Sequence, residues 1–249
     1  MSGPNPSSIG SSEPDSASSF TALLAHADDN LVLAQRLGEW ISTAPELEED
    51  IALGNIALDH LGVARALYTH AGEVEGRGRT EDDLAMSRSE REFTNVLLVE
   101  QPNGDFAHTM VRALFFDAYQ VELWADLIDC DDPTLAGIAA RAFKEARYHL
   151  RHSSSWVVRL GDGTEESHRR AQQAVDALWR YTAELFEEEP GYRVGWLRQI
   201  SDVLDDARLG IPEDPYQRSG GRRGFHSEHL GHLLAEMQWM QRSYPGLEW

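Results

Sequence analysis

From Phe20 onward, apolar residues return every three or four positions. Leu24, Ala27, Leu31, Ala34, Leu37 and Ile41 therefore fall on one face of a helix. Thr43-Ala-Pro-Glu46 has the spacing of a capping box with a proline in the first turn, and predicts the start of a second helix. That helix carries Leu47, Ile51, Leu53, Ile56, Leu58 and Leu61, and is expected to run to about His70 and stop at Ala71-Gly72. Residues 72–90 are polar and read as a connection. Pro102-Asn-Gly104 marks a turn with Asp105 as N-cap. A long stripe follows through Met110, Leu114, Asp117, Val121, Trp124 and Ile128.

Asp132-Pro133 opens the next helix, lined by Leu135, Ile138, Ala142, Ala146, His149, Trp156 and Leu160 and ended by Gly161-Asp-Gly163. Thr164 caps a fifth helix through Val175, Leu178, Trp179 and Leu185. A sixth covers Trp196 to Leu204, and a last one Leu230 to Arg242. Strand-like alternation is almost absent. The pattern predicts an all-α antiparallel bundle with short connections and additional C-terminal helices. Residues 1–18 are too poor in apolar side chains to offset the entropy of ordering and read as a disordered leader; 19–249 read as one domain.

Charge and cysteine usage narrow the classes. A formal net charge of -20 repels phosphate backbones and argues against nucleic acid, while favouring a basic protein partner. Cys130 is the only cysteine, which excludes an intrachain disulfide and suits a reducing cytoplasm. No apolar run approaches the ~20 residues of a membrane-spanning helix, and Met1 to Ser19 shows no signal-peptide core.

Two apolar stripes carry a polar residue where the core belongs: Asp117 and His149. A buried carboxylate needs a cation, a donor or a metal, and an Asp–His hydrogen bond is the simplest expectation. Inward carboxylates and Glu-x-x-His pairs on facing helices are how bundles hold two irons. The only literal match is Glu165-Glu-Ser-His168, with Asp105-Phe-Ala-His108 as its acidic variant. Both lie in a first helical turn, where an acid favours the helix dipole instead. His226, His229 and His232 follow the Gly/Arg-rich stretch Ser219 to Gly224, which reads as a flexible basic loop. These histidines read as satisfied or subunit-facing rather than zinc-binding. No phosphate loop, nucleophile elbow or cysteine nucleophile signature is present.

Several longer strings carry a resemblance: Asp29-Asn-Leu-Val-Leu-Ala-Gln-Arg-Leu-Gly-Glu-Trp40, Leu97-Leu-Val-Glu-Gln-Pro-Asn-Gly104, Lys144-Glu-Ala-Arg-Tyr-His-Leu-Arg151, Leu178-Trp-Arg-Tyr-Thr-Ala-Glu-Leu-Phe186 and His226-Ser-Glu-His-Leu-Gly231. In order over residues ~20 to 249, the chain resembles the C-component family of phenylacetyl-CoA epoxidases. The resemblance implies a ferritin-like bundle and a non-catalytic, structural role beside a di-iron catalytic A subunit, with B and reductase subunits in a hetero-oligomer.

Carried onto this chain, the catalytic ligand pattern falls at Asn30, His60, Val63, Asp117, Ala146 and His149. Asn30 is neutral, and Val63 and Ala146 cannot ligate. The resemblance thus implies a relict polar cluster and no metal or cofactor bound by this chain. The alternative, a self-sufficient ferritin-like di-iron oxygenase, needs the ligands this pattern lacks. Arg222, Arg223 and His226 are the expected contacts to CoA or to another subunit. Trp40, Trp196, Trp239 and Trp249 are candidate interface aromatics.

Overall fold

The computed structural model describes residues 19–213 and 216–246. Among them every regular element is helical: α1 (Phe20–Gly38), α2 (Leu47–Glu75), α3 (Glu81–Met86), α4 (Leu97–Glu100), α5 (Phe106–Leu127), α6 (Pro133–Gly161), α7 (Glu165–Leu178), α8 (Tyr192–Asp206), α9 (Glu228–Met237) and α10 (Trp239–Ser243). The expected all-α bundle is what forms. The antiparallel hairpins α1–α2 and α5–α6 make its centre; α7 and α8 pack on α5 and α6, and α9 packs against the turn at Glu90–Glu92. None of these helices is long and apolar enough to cross a membrane.

Helix starts follow side-chain chemistry. Asp105 accepts from His108 N (2.9 Å), Asp132 from Thr134 N and Leu135 N ahead of Pro133, and Thr164 from Ser167 N. Each satisfies donors that the first turn leaves open. The second helix departs from expectation. Its N-cap is Glu46, and the Thr43 hydroxyl donates backwards to the carbonyls of Glu39 and Trp40. It also continues through Gly72 to Glu75 and ends on Gly76 with φ +68°. Gly72 is a packing glycine, because a Cβ there would stand 2.4 Å from the Arg79 carbonyl oxygen. Residues 72–90 hold a short capped helix as well as the connection. The last helix breaks at the buried Gln238, whose amide donates to the carbonyls of Ala85 and Arg88.

Several of the apolar positions that mark the first two helices are outside the core: Ile41, Leu47, Ile51, Leu58 and Leu61 are exposed. Of the four candidate interface tryptophans, Trp196 is core, donating to the Phe115 carbonyl (2.7 Å) and packing on Phe115, Trp179 and Phe186. Trp40 is half-buried on Thr109 and Phe106, and Trp239 is exposed. Trp249 and the 1–18 leader lie outside the described residues.

Adjacent buried carboxylates tie the outer segments to α1. Asp28 receives Arg88, the Tyr68 hydroxyl (2.5 Å), and the Thr94 amide and hydroxyl. Asp29 receives Arg222 (2.7 Å) and the Val96 amide (2.8 Å). Glu184 accepts from the backbone amides of Leu97, Gly220 and Gly221, each at 2.7 Å. The Gly/Arg stretch is therefore a fixed turn rather than a flexible loop. A Cβ on Gly221 would lie 2.1 Å from the Asn95 carbonyl oxygen.

Removing one partner of a buried ion pair strands the other charge. Arg88→Ala is expected to destabilise the protein by about 3–5 kcal/mol in urea denaturation. Replacing Arg169, an exposed partner of Glu166, should cost under about 1 kcal/mol.

Candidate functional site

The centre of the four-helix core is polar. α1 contributes Asn30, α2 His60 with Val63 one turn on, α5 Asp117, and α6 Ala146 and His149. All six are buried. Ligand-type atoms of His60, Asp117 and His149 lie within 4.8 Å of one another; no other group of this kind occurs among the described residues. The sequence-derived positions do converge.

Their hydrogen bonds differ from expectation. His60 Nδ1 lies 2.8 Å from Asn30 Oδ1, while Asn30 Nδ2 donates to the His26 carbonyl. This orientation puts the His60 proton on Nδ1, and leaves Nε2 buried with no hydrogen-bond partner. Asp117 takes its hydrogen bond from the Ser153 hydroxyl (2.7 Å), and His149 Nε2 pairs with Asp59 at 3.1 Å. A direct Asp117–His149 hydrogen bond is absent. Burial, with the nearby His149 adding to it, pushes the His60 imidazole well below its usual value and keeps it neutral. Burial pushes the Asp117 carboxyl up to about 6, against the opposing pull of His149 and Ser153.

Sequence reasoning missed Asp59, Ser153, Gln120 and Glu145. Gln120 and Glu145 line the same cleft, and each keeps one buried polar atom without a partner. Ser153 was legible, since it extends the Ala142–Ala146–His149 stripe by one turn. Asp59 was not, because it sits on the flank of α2 and reaches across to α6 only once the helices pack.

The cleft measures about 10 Å³, on the order of one water molecule. A di-iron centre needs carboxylates from two helices and Glu-x-x-His from two more. Here Val63 and Ala146 stand at two of those places, and Asn30 is occupied with His60 and His26. The residues do not fit a di-iron group. The arrangement can hold a proton and order four helices through polar contacts.

Outside the cluster, the two first-turn motifs serve helix ends. His168 Nδ1 bonds the Gly161 carbonyl, and the His108 amide serves the Asp105 cap. Arg222 is turned inward, its charge engaged by Asp29. His226 lies between Glu100 (2.8 Å) and the Phe93 carbonyl (2.9 Å). Burial opposes its charge, but the Glu100 hydrogen bond prevails and raises its pKa. Only Arg223 of the three basic groups is exposed.

A folded-state pKa above the unfolded value of about 3.9 means that native Asp117 binds more protons between about pH 4 and 6. Its stability contribution is greatest at low pH and is lost as pH rises through that window. Asp117→Asn should flatten that slope and exceed the parent by about 1–3 kcal/mol above pH 6.5. Urea denaturation at pH 4.5 and 7.5 checks this; equal destabilisation at both would contradict it.

With this geometry in hand, the comparisons with known proteins are specific. Residues 10–249 match the family described as phenylacetic acid catabolic protein. A curated relative, the C component of the 1,2-phenylacetyl-CoA epoxidase of Escherichia coli (strain K12), is 49% identical over 246 residues. The match covers 92% of this chain and 99% of the relative. A helical core with a polar centre and an end-to-end match of this kind place the chain in one group: it belongs to the phenylacetic acid catabolic protein family.

Proposed function

We propose that this chain is the non-catalytic structural subunit of a 1,2-phenylacetyl-CoA epoxidase, supporting a di-iron catalytic A subunit in the cytoplasm and binding no iron itself. The observation that carries the reading is the centre of the bundle. Its three converging donor atoms include a single carboxylate, that of Asp117; Val63 and Ala146 line the adjoining cleft, and the two further acids there are engaged elsewhere, Asp59 with His149 and Glu145 with Arg141. Two irons need several hard oxygen donors to balance their charge. The 49% identity to a C component along nearly its full length supports the assignment to that part of the complex. B and reductase subunits complete the proposed hetero-oligomer. Any contact with a CoA phosphate falls to Arg223, since Arg222 and His226 are held inside.

The test is reconstitution with the catalytic subunit from the same source. Desalted after anaerobic ferrous loading, the chain alone should retain less than ~0.1 iron and show no epoxidation. Adding it to the catalytic subunit should raise activity and solubility. Asp117→Ala here should leave the complex's kcat within about twofold of the parent, because the variant removes no reacting group. Close to two irons per chain, lost in Asp117→Ala, would overturn the reading and make this chain the oxygenase.

A further inference from the structure

α2 is apolar on two opposite sides. Leu53, Ile56, Ala57, Val63, Ala64 and Leu67 face the core, as a helix of a bundle requires. The outward side carries Leu47, Ile51, Leu58 and Leu61, exposed by 72%, 57%, 64% and 39%. With Gly54 between them, the series 47, 51, 54, 58, 61 runs in steps of four and three, the spacing of a seam between two helices. Gly54 has no internal reason to be glycine, because a Cβ there would meet nothing within 4 Å. It leaves a notch in the middle of the ridge, where a neighbouring side chain can enter.

α6 is pinned to the neighbouring flank of α2, the one that carries Asp59 and Glu49, by His149–Asp59 and His152–Glu49. Its exposed side bears Arg141, Lys144, Arg147, Tyr148 and Arg151. Arg141 pairs with Glu145. Arg147 lies over Phe143 and Arg151 over Tyr148, and neither these two nor Lys144 has a carboxylate within ion-pair distance among the described residues. In a chain with 42 acidic and 22 basic residues, such a run of unpaired cations is informative. Elsewhere on the surface Arg65, Arg169, Arg170 and Arg208 each hold an acid, whereas Arg91, Arg193, Arg198 and Arg223 do not among the described residues; what marks the α6 row is that its unpaired cations are gathered on one helix face.

An apolar ridge beside unneutralised cations calls for an apolar helix flanked by carboxylates. A second copy of this chain fits poorly. Two molecules of charge -20 repel, and a two-fold pairing with the α2 helices antiparallel sets the α6 cation rows against each other.

We propose that the outward face of α2, with Tyr148 and the basic row of α6, is the surface on which the catalytic subunit docks through an acid-flanked apolar helix. This rests on the functional reading above, and the experiment separates the two. Affinity for the catalytic subunit is measured by calorimetry for the parent chain, Leu58→Glu, the double variant Lys144→Glu/Arg147→Glu, and Val194→Glu. Val194 is exposed on α8, outside this face. Circular dichroism melting accompanies each variant, and the charge variants keep the test sharp if Leu58→Glu folds poorly.

Leu58→Glu should weaken binding at least 100-fold with a melting temperature close to the parent's. The charge reversal should weaken it at least tenfold and reduce its dependence on salt, and Val194→Glu should bind as the parent does. Parent-like binding by both face variants would overturn the surface and leave the functional reading standing. Failure of the parent chain to bind would overturn both. A parent homodimer in sedimentation that Leu58→Glu dissolves, with binding to the catalytic partner unchanged, would replace the proposed occupant with a second copy.

Discussion

Two neighbouring carboxylates, Asp28 and Asp29, are fully buried in the middle of α1, and the arrangement of the outer segments depends on neutralising them. Consecutive residues on a helix point about 100° apart, so a single cation cannot serve both. The chain brings Arg88 to one and Arg222 to the other, from 60 and 193 residues away. Delivering Arg88 fixes the path after α3. Delivering Arg222 fixes the C-terminal turn, which Glu184 then holds through three backbone amides. A bundle of four helices alone would leave both aspartates without a cation, Asp28 keeping only the Tyr68 hydroxyl.

The helices were largely legible in the sequence because their signals are local. Asp105, Asp132-Pro133 and Thr164 cap where their spacing says they should. Thr43 misled, since a threonine three residues before a glutamate also occurs where the hydroxyl turns back to the preceding helix. Gly72 misled for a related reason. A glycine near a helix end reads as a stop, whereas here the close approach of the Arg79 carbonyl demands it inside the helix. Such an approach exists only in three dimensions.

The central cluster was legible as a set of positions, because Asp117 and His149 interrupt apolar stripes. Its bonding was not. Asp117 and His149 each look outward from the pair, to Ser153 and Asp59, and the bare His60 nitrogen follows from how Asn30 is oriented. The sequence did not separate the exposed ridge on α2 from its core side, because periodicity marks which residues share a face but not what covers that face. An apolar stripe on each side of one helix is the sign that two different surfaces are involved.

The distance in sequence between Asp29 and Arg222 has a consequence for how the protein is made. During translation at ~5–20 residues per second, roughly 10–40 s pass between the appearance of the two side chains. Through that interval the nascent α1–α2 hairpin carries an acid whose partner does not yet exist. Final locking of α1 is thus a late event that waits on nearly the whole polypeptide, and a ribosome stalled before residue 222 would hold a chain with its α1–α2 hairpin made and its clasp open.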